Sequence, residues 1–271
     1  MSGNDKQVAM TGATGADTEQ EVIALEEQAQ EPQREPVSSA SAIEEIKSVM
    51  AIVAHPDDAE FSSAGTLAKF AQEGKRVYIV VCTAGNKGTP DPNMQGDDLA
   101  AMRQREQLGA SAELGVTETI FLGNPDGELT PSLDFRKQLV EQIRRYQPDV
   151  VITHDPWRPY ALHPDHRAVG ITVADAAYPT ARDAIYFHEH YEAGLMPWKV
   201  GEIWFYGAEK PDHYVDVSAT FGHKIAALKR HESQVGASTE LEARMRERAQ
   251  EVGKEGGLPM AEAYKVVKLR R

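Results

Sequence analysis

Val49-Met50-Ala51-Ile52-Val53-Ala54-His55-Pro56-Asp57-Asp58-Ala59-Glu60 is the stretch on which the reading of this chain turns. Its first six residues are an unbroken apolar run, short enough to be a buried strand. After the polar turn, Phe61, Leu67, Ala68, Phe70 and Ala71 recur at helical spacing, and Gly74 stands where a C-cap belongs. The spacing predicts a helix over 61–73. The same unit then repeats. Strands are expected at 77–82, 119–122 and 150–153. Helices are expected at 98–114, closed by Gly115, and at 133–146, stopped before Pro148. The loop at 84–96 is rich in Gly, Pro, Asn and Asp. Strands alternating with helices of this length imply right-handed crossovers and a mostly parallel sheet. The expected fold class is therefore α/β, a Rossmann-like, mostly parallel sheet flanked by helices in a single catalytic domain. Beyond Pro197 the pattern loosens, with strands expected at 202–206 and 213–217 and helices near 221–231 and 239–252. No internal repeat is visible.

Composition narrows the function. The 271 residues carry 42 acids and 29 bases, a net charge of -13, which disfavours a general nucleic-acid binder needing a basic footprint. One cysteine, Cys82, excludes a disulfide framework. No apolar run reaches the length of a membrane span, and the polar, acidic start is unlike a signal peptide. The default expectation is a soluble, cytoplasmic protein. Residues 1–47 hold ten acids, three bases and no aromatic residue, so they read as a disordered acidic tail. Within it, 19–29 could form a transient helix around Val22, Ile23 and Leu25. Residues 48–271 are expected to form the catalytic domain.

In such sheets ligands sit at the carboxyl ends of the parallel strands, so the loops after Ala54, Cys82, Leu122 and Thr153 matter most. The first lacks the G-x-G-x-x-G of a dinucleotide site, and its acids would repel a pyrophosphate. The fourth strand leads into Thr153-His154-Asp155-Pro156-Trp157-Arg158, after which His163-Pro164-Asp165-His166 opens a helix. Two His/Asp loops at one end of a sheet make a metal cup. Imidazole and carboxylate without thiolate suit zinc, and three protein ligands leave the fourth position open. His55 and Asp58 with a histidine of the other loop would supply them. A nonheme iron triad uses the same residue types, so the metal stays open on spacing alone.

The paired motifs Ala54-His55-Pro56-Asp57-Asp58-Ala59-Glu60 and His163-Pro164-Asp165-His166 resemble the LmbE-like, PIG-L-type family of zinc-dependent N-acetylglucosaminyl deacetylases. The likeness continues through Arg103-Gln104-Arg105-Glu106, Phe121-Leu122-Gly123-Asn124-Pro125-Asp126-Gly127 and Pro211-Asp212-His213-Tyr214-Val215-Asp216. It ends with Lys224-Ile225-Ala226-Ala227-Leu228 and His231-Glu232-Ser233-Gln234, so it spans roughly Val49 to Gln234. The resemblance implies one zinc per chain, held by His55, Asp58 and His166, with another divalent metal as the alternative. It implies Asp57 as general base, His163 beside the developing oxyanion, and Asp165 orienting that imidazole. Arg103 and Asp126 match positions that face the sugar. Some members carry a mobile tyrosine where this chain has Ala161; the neighbouring Tyr160 is the candidate substitute.

The chemistry is coherent on its own. An acetamide is a poor electrophile, and zinc both polarises its carbonyl and lowers the pKa of a bound water to about 7. A carboxylate beside a ligand can take that water's proton and pass one to the leaving amine. A cationic His163, favoured by Asp165, would stabilise the oxyanion. The expected function is hydrolysis of the N-acetyl group of an N-acetylglucosamine-type sugar or glycoconjugate. The alternatives are an amidase of a thiol-sugar conjugate or larger N-acyl substrate, and, in a different class, a noncatalytic metal-binding module. A pure binder has no use for a nonligand carboxylate such as Asp57. The expected partner is a small N-acetylated sugar, with no nucleic acid and no membrane span; a homo-oligomer is compatible with this reading. His154 and Asp155 could line the site or cap the strand, and Trp157 and Tyr160 could stack on a sugar or anchor a loop. His188 and His190 read as packing or surface residues, His231 could reach the site or be a structural helix-end histidine, and Cys82 reads as unreactive.

Overall fold

Every residue of β1 (Ser48–Val53) is buried, and its side chains divide by alternation. Met50 and Ile52, with Ala54 just beyond, enter one core layer, while Val49, Ala51 and Val53 enter the other. A strand covered on both faces must be apolar at every position, which is why it reads as an unbroken run rather than an alternating one. The computed structural model describes residues 46–236 and 238–269. The expected tail, apart from its last two residues, and the helix expected at 19–29 lie outside them. Ile46 is buried against the β1 layer and the Lys47 N–H donates to Asp149 Oδ2 at 2.9 Å, so packing begins within the last two residues assigned to that tail.

Six further strands join β1: β2 (Arg76–Thr83), β3 (Glu118–Asn124), β4 (Val150–His154), β5 (Glu202–Tyr206), β6 (His213–Asp216) and β7 (Ala261–Lys268). Their order is β3-β2-β1-β4-β5-β7-β6. The first five are parallel, and β7 runs antiparallel to both of its neighbours. The α/β architecture is thus the one the pattern predicts, with one strand more. β7 is missing from the sequence reading because its inward positions include a charge: Glu262 is buried against Lys224, whose Nζ donates at 2.7 Å. Only the pairing with β5 and β6 makes that segment a strand.

Helices α1 (Asp58–Gln72) and α2 (Gly96–Leu114) pack on one face of the sheet together with α6 (Phe221–Leu228). Helices α3 (Leu133–Tyr146) and α4 (Pro164–Asp175) cover the other. The expected helix at 61–73 begins three residues earlier, at Asp58, where two acids in the first turn complement the helix dipole. Two short helices, α5 (His188–Glu192) and α7 (Glu232–Val235), precede the longer α8 (Leu241–Gly256). The helix expected at 221–231 stops at Leu228, leaving His231 between α6 and α7. After β3 the chain crosses to the far side of β1 to lay down β4. The strand order therefore reverses between β1 and β4, where such sheets open a crevice beyond the carboxyl ends of their strands. The His/Asp loops after Ala54 and Thr153 flank that crevice.

Candidate active site

The turn after β1 folds on itself: the His55 N–H donates to Asp58 Oδ2 at 2.8 Å. This brings the two side chains to one side, with His55 Nδ1 3.4 Å from Asp58 Oδ2. From the other loop, His166 on the first turn of α4 places its Nε2 3.3 Å from His55 Nδ1 and 3.3 Å from Asp58 Oδ1. Ligand atoms about 2.0–2.2 Å from a tetrahedral zinc lie about 3.3–3.5 Å from one another. The two imidazole nitrogens and the Asp58 carboxylate, through Oδ2 toward His55 and Oδ1 toward His166, are spaced as ligands of such an ion would be. The groups close enough to share an ion among the described residues are His55-His163-His166, Asp58-His154-His166 and His55-Asp126-Asp165, and all three residues belong to them.

What brings His166 there is a close helix-to-strand contact. A Cβ on Gly170 would stand 2.5 Å from the His154 carbonyl oxygen, so only glycine lets α4 dock on the end of β4. One turn earlier on that helix, the His166 ring stacks on His154 with centroids 4.1 Å apart. His154 is buried, its Nε2 accepts from the Ala54 N–H at 3.3 Å, and it lies 3.4 Å from Asp58 Oδ2. It joins the site as a packed neighbour of two candidate ligands. Burial alone would raise the Asp58 carboxyl, but the imidazoles of His154, His166 and His55 around it hold it well below the usual carboxylate range.

Behind His55 stand two carboxylates. Its Nε2 lies 3.0 Å from Asp165 Oδ2 and 3.1 Å from Asp126 Oδ1. A carboxylate on the far nitrogen keeps the proton there and leaves Nδ1 as the lone-pair donor. In the metal-free protein, despite the opposing effect of burial, Asp126 and Asp58 push the imidazole up to about 10, so a cation taking Nδ1 would displace the proton there. Asp126 is held down to about 2, first by His55 and then by the Lys87 N–H, which donates to it at 2.9 Å. Asp165 is fully buried and accepts from the N–H groups of Gly127 (2.7 Å) and Leu129 (3.1 Å).

The placement of Asp165 differs from the one the resemblance implies. The Asp165 carboxylate faces His55 and not His163; what reaches His163 is the Asp165 backbone N–H, donating to Nδ1 at 3.3 Å as the N-cap of α4. Burial, with His166 and His55 beside it, lowers the His163 imidazole, while the Asp165 and Asp58 charges act the other way. Its ring lies 4.6 Å from that of His55 and 4.5 Å from that of His166, at the exposed rim of the cup.

Asp57 and Asp58 are adjacent yet point to different tasks. Asp57 has φ 90, a left-handed backbone rare for a non-glycine residue. Its Oδ2 meets Arg103 Nη2 at 3.2 Å, and it belongs to none of the His/carboxylate groups close enough to share an ion among the described residues. Burial first, then the Asp58 charge, push its carboxyl up to about 7 against the pull of Arg103. Arg103 is itself buried and also donates to the carbonyls of Gly85 (2.8 Å) and Pro56 (2.7 Å). Gly85, at φ +61, leaves the space: a Cβ there would meet Arg103 Nη1 at 2.2 Å. The hydrogen bonds of Arg103 and Asp126 therefore run into the protein. As placed, they steady Asp57 and His55.

A cleft of about 410 Å³ opens beside the cup, lined by Asp58 and His166 at one end and by Phe61, Tyr206, Met245 and Arg248 farther out. Tyr160 is 94% exposed and left-handed at φ 60, and it lines a neighbouring recess with Arg158 and Arg248. Trp157 packs edge-on against Phe205, which makes it a loop anchor. His188 pairs with Glu192 on α5 and His190 packs on Phe187, both outside the cup. Cys82 is buried, and burial pushes its thiol well up. The sequence reading did not connect Glu60 and Gln107, buried beneath Asp57, and it left His231 between reaching the site and a structural role. No spacing rule links residues 47 positions apart, although the acid inside the first motif was a signal. No helix among the described residues is long and apolar enough to cross a membrane.

The chain is similar to known proteins over much of its length. The family described as PIG-L, GlcNAc-PI de-N-acetylase, matches residues 50–177. The diacetylchitobiose deacetylase of Thermococcus kodakarensis is 34% identical over 194 residues, covering 70% of this chain and 71% of that protein. The 1D-myo-inositol 2-acetamido-2-deoxy-alpha-D-glucopyranoside deacetylase of Acidothermus cellulolyticus is 31% identical, covering 70% and 80%. Among solved structures, the N,N'-diacetylchitobiose deacetylase of Pyrococcus horikoshii, complexed with its inhibitor, superposes with a TM-score of 0.79 at 29% identity, covering 95% and 94% of the two chains.

Proposed function

This chain belongs to the PIG-L, LmbE-like family, and from that membership we propose that it is a zinc-dependent hydrolase removing the N-acetyl group of an N-acetylglucosamine-type sugar or glycoconjugate. It is an amide hydrolase of carbon–nitrogen bonds other than peptide bonds. The observation that carries the proposal is the approach of His55 Nδ1 and His166 Nε2 to each other (3.3 Å) and to the two oxygens of Asp58 (Oδ2 at 3.4 Å and Oδ1 at 3.3 Å), with Asp57 beside them and outside the groups that could hold an ion.

In this reading His55, Asp58 and His166 hold the metal, and Asp126 and Asp165 hold His55. A zinc ion there supplies Lewis acidity, polarising the acyl oxygen and making water acidic near neutrality. Asp57 takes a proton from the attacking water as its oxygen bonds to the carbonyl carbon. His163, at the rim, donates a hydrogen bond to the oxyanion that forms. Asp57 then returns the proton to the sugar nitrogen as the carbon–nitrogen bond breaks, releasing acetate and the amine. Burial and the Asp58 charge raise that carboxyl in the metal-free protein, and a bound cation would draw it back down, leaving it ionised and able to accept a proton at neutral pH. Arg103 keeps Asp57 directed at the site.

The cleft volume falls within the usual range of about 300–1,000 Å³ for small-molecule sites and exceeds what an acetyl group needs. The sugar, its aglycone or a larger acyl group would share it. Purified protein incubated with a panel of N-acetylglucosaminides and longer N-acyl analogues, followed by acetate and amine analysis, tests the proposal. Full metal loading with no acyl release from any member would leave the noncatalytic reading instead.

A further inference from the structure

Asp57 is held at two points, and only one of them is its side chain. Its backbone N–H donates to Gln107 Oε1 at 3.1 Å, and Gln107 Nε2 donates in turn to Glu60 Oε1 at 2.7 Å. Gln107 and Glu60 are both fully buried. At the far end His231, also fully buried, places Nε2 3.4 Å from Glu60 Oε2. None of these groups touches the reacting atoms in the mechanism above.

The order of the contacts has a physical consequence. A carboxylate accepts and does not donate, so Glu60 decides which way the Gln107 amide faces: nitrogen toward Glu60, oxygen toward Asp57. The reversed amide would set donor against donor and acceptor against acceptor, with no water to relieve either. The oxygen so fixed is the acceptor for the backbone of a residue in a left-handed conformation, which persists only where the surroundings enforce it. That conformation is also what separates two neighbouring carboxylates, turning Asp58 into the imidazoles and Asp57 toward Arg103.

We propose that Gln107, oriented by Glu60 with His231 behind it, is a positioning residue that fixes the backbone of Asp57 and thereby the direction of its carboxylate. The inference rests on Asp57 being the proton-transfer group. Gln107→Leu deletes the hold, while the double exchange Glu60→Gln with Gln107→Glu keeps it with the polar groups reversed. Backbone amide exchange at Asp57 reads the hold directly, without substrate, and turnover reads its effect.

In Gln107→Leu the Asp57 amide is expected to exchange at least about 100-fold faster. Its kcat should fall about 10- to 100-fold, as for a catalytic group misplaced by about an ångström, while metal content and KM stay unchanged. The double exchange should return both readouts to within about threefold of the original protein. An Asp57 amide as protected in Gln107→Leu as before would overturn the proposal. So would a folded double exchange whose kcat and Asp57 amide protection both fall more than about tenfold below the original protein, a test that stands even if Gln107→Leu does not fold. Equal turnover in the original protein and Asp57→Asn would sink the general-base reading instead, leaving the amide-exchange result to decide the hold.

Discussion

Asp57→Asn separates the two adjacent carboxylates most sharply. The substitution keeps the shape and an oxygen that can accept from Arg103 Nη2, now 3.2 Å away, but removes the basicity. Asp58 and the two histidines are untouched, so metal stoichiometry should remain that of the original protein. General acid–base catalysis is worth about 10²–10⁴-fold, or about 3–5 kcal/mol of barrier. A fall of that size in kcat is expected, with KM little changed. The acid limb of the original pH–rate profile should also vanish. The base must be ionised, so activity declines as pH falls through its pKa; a bound cation beside Asp58 draws that limb below the value of about 7 set by burial and the Asp58 charge. The metal-free protein adds a second readout of opposite sign. A carboxyl raised from 3.8 to about 7 on folding contributes stability that is complete below its unfolded pKa and is lost as pH rises through the folded one. Metal-free Asp57→Asn should therefore melt above the original protein at pH 8, by at most about 4 kcal/mol, and the gap should close toward pH 4. Single-turnover acetate release and thermal melts in chelator measure both. Near-normal turnover in a metal-replete Asp57→Asn protein would refute the reasoning.

Elemental analysis should find about one metal per chain, strongly reduced in His55→Ala, Asp58→Ala or His166→Ala; full occupancy in all three would discard the ligand set. His163→Ala should retain the metal while kcat drops by about 10²–10³-fold, in line with loss of an oxyanion donor. Asp165→Asn and Asp126→Asn act through His55 and should weaken zinc affinity by about 10- to 100-fold in competition titrations. Gly170→Ala pushes a Cβ to 2.5 Å from the His154 carbonyl, so it should lower both the melting temperature and metal affinity although it touches no ligand. Deleting residues 1–45 should leave melting and turnover nearly unchanged, whereas extending the deletion through Lys47 also removes buried Ile46 and the bond to Asp149, and should lower the melting temperature.

Much of this protein was legible before any coordinates. The apolar run at Val49–Ala54 could be buried on both faces only in a parallel sheet, so the order of strands and helices through Thr153 followed from pattern alone. The residue types of a metal cup were also readable, because His55, Asp58 and His166 lie within two His/Asp motifs at matched strand ends. What the chain could not disclose is direction. Whether Asp165 backs His163 or His55 depends on where the first turn of α4 meets the loop after β3, and that contact joins residues 36–38 positions apart. Gln107 under Asp57 and Glu262 against Lys224 are likewise buried polar pairs whose partners lie far along the chain. Periodicity records which side chains face a core, since burial acts on each residue singly. Hydrogen bonds between distant residues depend on distance and angle, and only the packed tertiary structure sets those.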